Sequence, residues 1–186
     1  MLHTRELNLL GLLIITFLTA CEQANITEQA SQPPALDASC GANGMFAARL
    51  FSGISVDVEW SSETLRCESM ARPNGAGIRL RFTGAVADER LAFIIDLPEL
   101  RPGQSGKEFA SNVTVTVEGS GRFFSSPNME SCWTDVVSEK QPAADEDRYT
   151  LTGMLYCVSP LGELNGDSAV SVAELSFASI VNWSNK

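Results

Sequence analysis

The chain has 186 residues and a formal net charge of −10, from 23 Asp and Glu against 13 Lys and Arg. Only three lysines occur and basic residues form no run, which excludes nucleic-acid binding through clustered phosphate contacts and argues against anionic lipid headgroups meeting the folded surface. The single histidine is His3, so the body of the chain lacks the base of Ser-His-Asp and Cys-His catalysis and the ligand of common zinc and copper sites.

In chain order, Arg5 is followed by an apolar run from Leu9 to Leu18 and by small residues before Cys21. That is the form of a secretory signal, too short for a spanning helix. Leu18-Thr19-Ala20-Cys21 resembles the lipobox of bacterial lipoproteins. The resemblance implies a signal peptide over residues 1–20 and a diacylglycerol thioether on Cys21, which becomes the mature N-terminus. Glu22 stands where an Asp would retain such a protein at the inner membrane, so the resemblance points to the outer membrane. Each buried acyl CH2 adds about 0.8 kcal/mol, so several palmitate-like chains make a stable anchor. The alternative is an ordinary signal peptide cut near Ala20, leaving Cys21 an odd thiol. Residues 21–39 then read as the lipidated cysteine and a flexible tether, because 22–39 are polar, proline-bearing and poor in large apolar side chains.

A single domain is expected over 40–186, and its dominant period is two. Ile54, Val56, Val58 and Trp60 alternate with polar residues, as do Ile78, Leu80 and Phe82. The pattern continues through Leu91–Leu97, Val113–Val117 and 149–157, with 132–140 a further strand-like run and 169–183 flanking the Asn165-Gly166 turn. Turn signals punctuate these runs at Pro73-Asn74-Gly75, Pro102-Gly103, Gly119-Ser120-Gly121, Ser126-Pro127-Asn128 and Asn165-Gly166. Such spacing predicts an all-β, disulfide-stapled antiparallel β-sandwich of about 7–9 strands. Asp57 and Glu59 project from one strand and Arg79 and Arg81 from another. They form ion pairs if those strands are neighbours, and a solvated face otherwise.

Four cysteines follow Cys21, an even number that makes disulfides the default in an exported domain. In an antiparallel hairpin, facing residues keep a constant sum of positions. For Cys132 and Cys157 the midpoint falls between Ala144 and Asp145, the middle of the polar loop 141–148. A symmetric hairpin therefore brings those sulfurs together, leaving Cys40 to pair with Cys67. The same register sets Trp133 opposite Tyr156, either as an aromatic platform for a sugar ring or partner protein, or as ordinary packing under a loop.

Residues 163–174 resemble the twelve-residue calcium loop of EF-hand and dockerin modules, with Glu163, Asn165, Asp167, Ser171 and Glu174 at ligand positions. Glu163 replaces the usual Asp, and Ser168 replaces the Gly of the sharp turn. The competing expectation is a β-hairpin turned at Asn165-Gly166, with no cofactor. Asp145-Glu146-Asp147 is a second acidic segment, a calcium candidate or a solvated loop tip. The expectation is a membrane-anchored envelope lipoprotein that binds an envelope protein or glycan or plays a structural part, and is not an enzyme. A calcium- or glycan-binding adhesion module and a histidine-free carboxylate hydrolase are the alternatives.

Overall fold

Alternation of buried and exposed side chains sets the β-structure of the described residues. The computed structural model describes residues 40–73, 76–142 and 147–184, all within one compact unit. The signal and tether segments, Cys21, Asn74-Gly75 and Asp145-Glu146 lie outside the described residues. The strands are β1 (Met45–Ser52), β2 (Val56–Ser61), β3 (Arg66–Ala71), β4 (Ile78–Val86), β5 (Glu89–Leu97) and β6 (Gly106–Glu118). Then follow β7 (Arg122–Ser125), β8 (Cys132–Lys140), β9 (Arg148–Cys157), β10 (Leu161–Glu163) and β11 (Ala169–Asn182).

All pairings are antiparallel and join into one eleven-stranded sheet. β3, β4, β5 and β6 form a meander. β7 pairs with Thr114–Val117 of β6, and β8 with its Gly106–Ser111 half. β10 and β9 divide β11 in the same way and pair with β7 and β8 respectively. Two long strands are thus each interrupted once. The first break is a 3-10 turn, Met129–Ser131, whose Asn128 side chain accepts from the Glu130 amide at 3.0 Å. The second is Val158-Ser159-Pro160, where proline removes a ladder donor. Counting each interrupted pair as one strand reconciles eleven with the expected seven to nine.

β11 returns to β1, and β1 to β2. The sheet then doubles over. Phe46 of β1 lies 4.5 Å from the Phe93 ring of β5, and Phe82 of β4 lies 5.2 Å from Phe177 of β11. In neither contact are the two strands ladder neighbours, so the contacts cross a core between two arms, β2-β1-β11-β9 and β3-β4-β5-β6. That is the sandwich, made from one continuous sheet. Its centre is aromatic: Phe46, Phe82, Phe93, Phe124 and Phe177 are fully buried. Each such ring contributes about 1.5–3 kcal/mol through the water it leaves. Two glycines admit the largest rings, since a Cβ at Gly84 would sit 2.4 Å from Trp60 and one at Gly153 2.2 Å from Phe177. Trp60 also donates from Nε1 to the Ala85 carbonyl at 2.9 Å.

Both disulfides form as the spacing required, Cys40–Cys67 and Cys132–Cys157. The β8–β9 ladder holds the symmetric register from Cys132↔Cys157 to Lys140↔Tyr149. β2 and β4 are not neighbours, so the condition for pairing Asp57 and Glu59 with Arg79 and Arg81 is not met. Asp57 instead meets Arg49 of β1 at 3.1 Å. Arg81 bridges Glu68 at 3.1 Å and Glu118 at 2.6 Å, while Arg79 lies 3.8 Å from Asp96, which also holds Arg72. Strand order decides these partners, and alternation carries no information about it.

Candidate functional site

The outer face of the β2-β1-β11-β9-β8 arm carries a groove of about 550 Å³. Its floor is one cross-strand row, Glu59–Ala47–Ser176–Met154–Asp135, read from successive ladder partners. Short side chains at Ala47 and Ser176 hollow out the middle of that row. Four steps of about 4.8 Å make it roughly 19 Å long.

Two β-bulges shape the groove, one on its central strand and one beyond its β8 end. On β11, Ala173 and Glu174 together oppose Arg49, because Ala48 pairs with Leu175 and Leu50 with Val172. Both bulged residues are exposed and line the groove. On β6, Lys107 and Glu108 together oppose Asp135, between Gly106↔Val136 and Phe109↔Thr134. Glu108 takes φ 56°, in the left-handed region, and its amide donates to Asp135 Oδ1 at 2.9 Å. A bulge twists its strand and re-aims the side chain it carries. Here the second bulge sets the Glu108 carboxylate 3.4 Å from the Tyr156 hydroxyl, which donates to it. Desolvation and the Glu108 charge raise the Tyr156 phenol above its ordinary range.

The groove wall combines charge with exposed apolar surface. Asp57, Glu59, Asp135 and Glu174 line it against Arg49, which is committed to Asp57. Met154 is 69% exposed and Tyr156 42%. Trp133 does face Tyr156 across the ladder, half-buried on the outer side, with Ala110 on its other flank. Tyr156 lines the groove and Trp133 stands just beyond it.

The calcium-loop residues are not gathered around one point. Residues 161–170 form a hairpin, with Leu161↔Val170 and Gly162↔Ala169 paired and Asn165 in the left-handed region at φ 61°. Glu174 lies six residues along β11 from Ser168, roughly 20 Å of extended chain. It lines the outer groove instead, and Ser171 lies on the same strand. Among the described residues no group of three or more His, Cys, Asp or Glu is placed to hold a metal ion.

Glu163 has a different partner. Arg122 Nε donates to its Oε1 at 2.6 Å, with the guanidinium 4.9 Å above the Phe124 ring. That hydrogen bond holds the Glu163 carboxyl below its usual range. A lowered folded-state pKa stabilises fully above the unfolded carboxylate value, roughly pH 4, and the contribution is lost as pH falls through the lowered value. Glu163→Gln is therefore expected to flatten the acid limb of a melting-temperature profile. Superimposable acid limbs for the two proteins would refute the assignment.

No protein-family model matches this chain, and no curated protein or solved structure matches it. The sequence pattern located Tyr156 and Trp133 but not Ala47, Met154, Asp135 or the Glu108 bulge. One signal was available: the buried phase of β11 slips between Val172 and Leu175, from even positions to odd.

Proposed function

We propose that this chain is a lipid-anchored envelope protein whose β-domain docks a partner in the groove on its outer face. The observation that carries the docking role is the groove itself, where two separate bulges open one sheet face around exposed Met154 and Tyr156. An exposed methionine and tyrosine in a concave, sided surface serve recognition better than solubility. The anchor rests on the resemblance of Leu18-Thr19-Ala20-Cys21 to a lipobox, and the two disulfides fit the oxidising compartment it implies. Binding fits the groove better than hydrolysis does. Glu59 and Asp135 stand at opposite ends of the roughly 19 Å row, beyond the ~5–10 Å carboxyl spacing of glycosidases. Asp57 is 71% exposed and tied to Arg49, without the apolar enclosure that tunes a general acid.

The test is made in cells, with a photo-crosslinking residue at Ser176 and a control at Ile94 on the opposite arm. The wild type is expected to incorporate radiolabelled palmitate, sediment with membranes, and give adducts from Ser176 alone. Cys21→Ser should lose both label and sedimentation. An unlabelled, soluble wild type overturns the anchor, and equal adducts from both positions overturn the groove.

A further inference from the structure

We infer that the occupant of this groove is a basic polypeptide segment, an extended run in which lysine or arginine alternates with apolar side chains. The inference rests on the docking reading above and adds the chemistry of the ligand. Shape comes first. The groove is open along its length and crosses five strands, so it receives a stretch of chain and encloses no small molecule. A row of roughly 19 Å matches about six extended residues at ~3.3 Å each.

Apolar contact comes second. Met154 and Tyr156 project into solvent beside Ala47 and Ser176, which leave room for the alternate side chains of such a segment. Methionine adapts to whatever side chain it meets, and the Tyr156 ring offers a face to a cation.

Charge then selects among polypeptides. Among the described residues, no basic side chain forms an ion pair with Glu59, Asp135 or Glu174, and the one arginine in the groove is taken by Asp57. Five groove charges sum to −3, four carboxylates against Arg49. The β6 bulge beyond the β8 end carries both Glu108, whose carboxylate meets the Tyr156 hydroxyl, and Lys107, so it leaves this sum unchanged. An anionic ligand entering here would meet net like charge, with Arg49 already paired to Asp57. A cationic one would find carboxylates at both ends of the row and along one wall, an arrangement that speeds encounter and fixes register.

Fluorescence anisotropy on the full chain tests this, with a labelled heptapeptide alternating lysine with phenylalanine and leucine as the probe. Controls are the same peptide with glutamate for lysine, and a labelled hexasaccharide of β-linked N-acetylglucosamine. The lysine peptide is expected to bind, with an affinity that falls as salt is added, and the glutamate peptide to fail. The triple variant Glu59→Gln, Asp135→Asn, Glu174→Gln should weaken binding by about tenfold or more. Tyr156→Phe should retain it, since the ring face remains. These are surface positions, and an unchanged melting temperature confirms that the variants fold. Equal binding of the two peptides, or an unaffected triple variant, overturns the inference. Binding of the hexasaccharide alone, lost in Trp133→Ala, also overturns it while leaving the docking reading intact. Absence of crosslinks from Ser176 in cells removes the docking reading itself.

Discussion

Phe46→Ala is expected to lower the unfolding free energy by about 3–5 kcal/mol. The Phe46 ring is fully buried at the meeting of both arms, with ring centroids 4.5 Å from Phe93, 5.0 Å from Phe82 and 5.4 Å from Trp60. Its neighbours cannot relax into the space it leaves. Trp60 is held by its bond to the Ala85 carbonyl and lies flat on Gly84, and Phe82 is backed by Phe177. A cavity that stays open costs the lost transfer energy and the lost contacts together, and each aromatic pair adds about 0.5–1.5 kcal/mol beyond area. Small domains have only about 5–15 kcal/mol in total, so the variant should be partly unfolded at modest urea concentrations. Phe123→Ala is the control, because that ring is 44% exposed and its loss should cost less than about 1 kcal/mol. Urea melts with matched slopes give the comparison. Equal costs for the two variants would mean that the arms do not close on Phe46.

How far such contacts can be read from sequence depends on whether their cause is local. β2, β4, β5 and β6 were visible as alternating runs, because each carries large apolar side chains at every second position. β9 alternates with Gly153 and Cys157 among its inward residues, and β8 and β11 were placed only as strand-like runs beside their turns. β1 was not seen, although Phe46, Ala48 and Leu50 point inward. The outward positions blur the alternation, because Met45, Ala47 and Phe51 there are as apolar as the residues that point inward. β3 turns only Cys67, Ser69 and Ala71 inward, which are too small to mark a face. β7 and β10 are shorter than any pattern. The Cys132–Cys157 pairing was legible for the opposite reason, since hairpin register follows from the loop alone. Cross-strand charge partners were not. Whether Asp57 meets Arg49 or Arg81 depends on strand order, which is set by the whole sheet.

The groove divides along the same line. Tyr156 and Trp133 emerged because local register places them. The β11 bulge leaves a trace, since an apolar phase slips where Ala173 and Glu174 share one partner. The β6 bulge leaves none. Neither Lys107 nor Glu108 has an apolar phase to break, and no glycine announces the left-handed turn at Glu108. A non-glycine residue there costs on the order of 1 kcal/mol, strain of the kind that collects at functional sites. Here it aims a carboxylate at Tyr156 and offers a backbone amide to Asp135.

Removing the Cys132–Cys157 bridge is the second large effect, and it reaches the groove as well as the fold. The double variant Cys132→Ala, Cys157→Ala is expected to lose about 3.5 kcal/mol on the chain-entropy account, given a separation of 25 residues. The bridge stands where both long strands are broken. Cys132 follows the 3-10 turn and Cys157 precedes Val158-Ser159-Pro160, whose Val158 amide reaches back to the Ser131 carbonyl at 2.8 Å. Both strands break just beyond this pair, where the Val158–Ser131 bond continues, so the disulfide pins the register at the end of the β8–β9 ladder. Trp133 and Tyr156 form the very next pair. Loosening the bridge should therefore fray the Tyr156 end of the groove first, and the labelled lysine peptide should bind the variant more weakly even where its fold persists. The Cys40–Cys67 bridge closes a separate loop of 27 residues and is tied to β3, a terminal strand of the sheet. Its removal should cost a similar amount, add to the first, and leave peptide binding unchanged. Equal loss of binding in the two cysteine variants would show that both act through global stability, and would sever the link between the strand breaks and the groove.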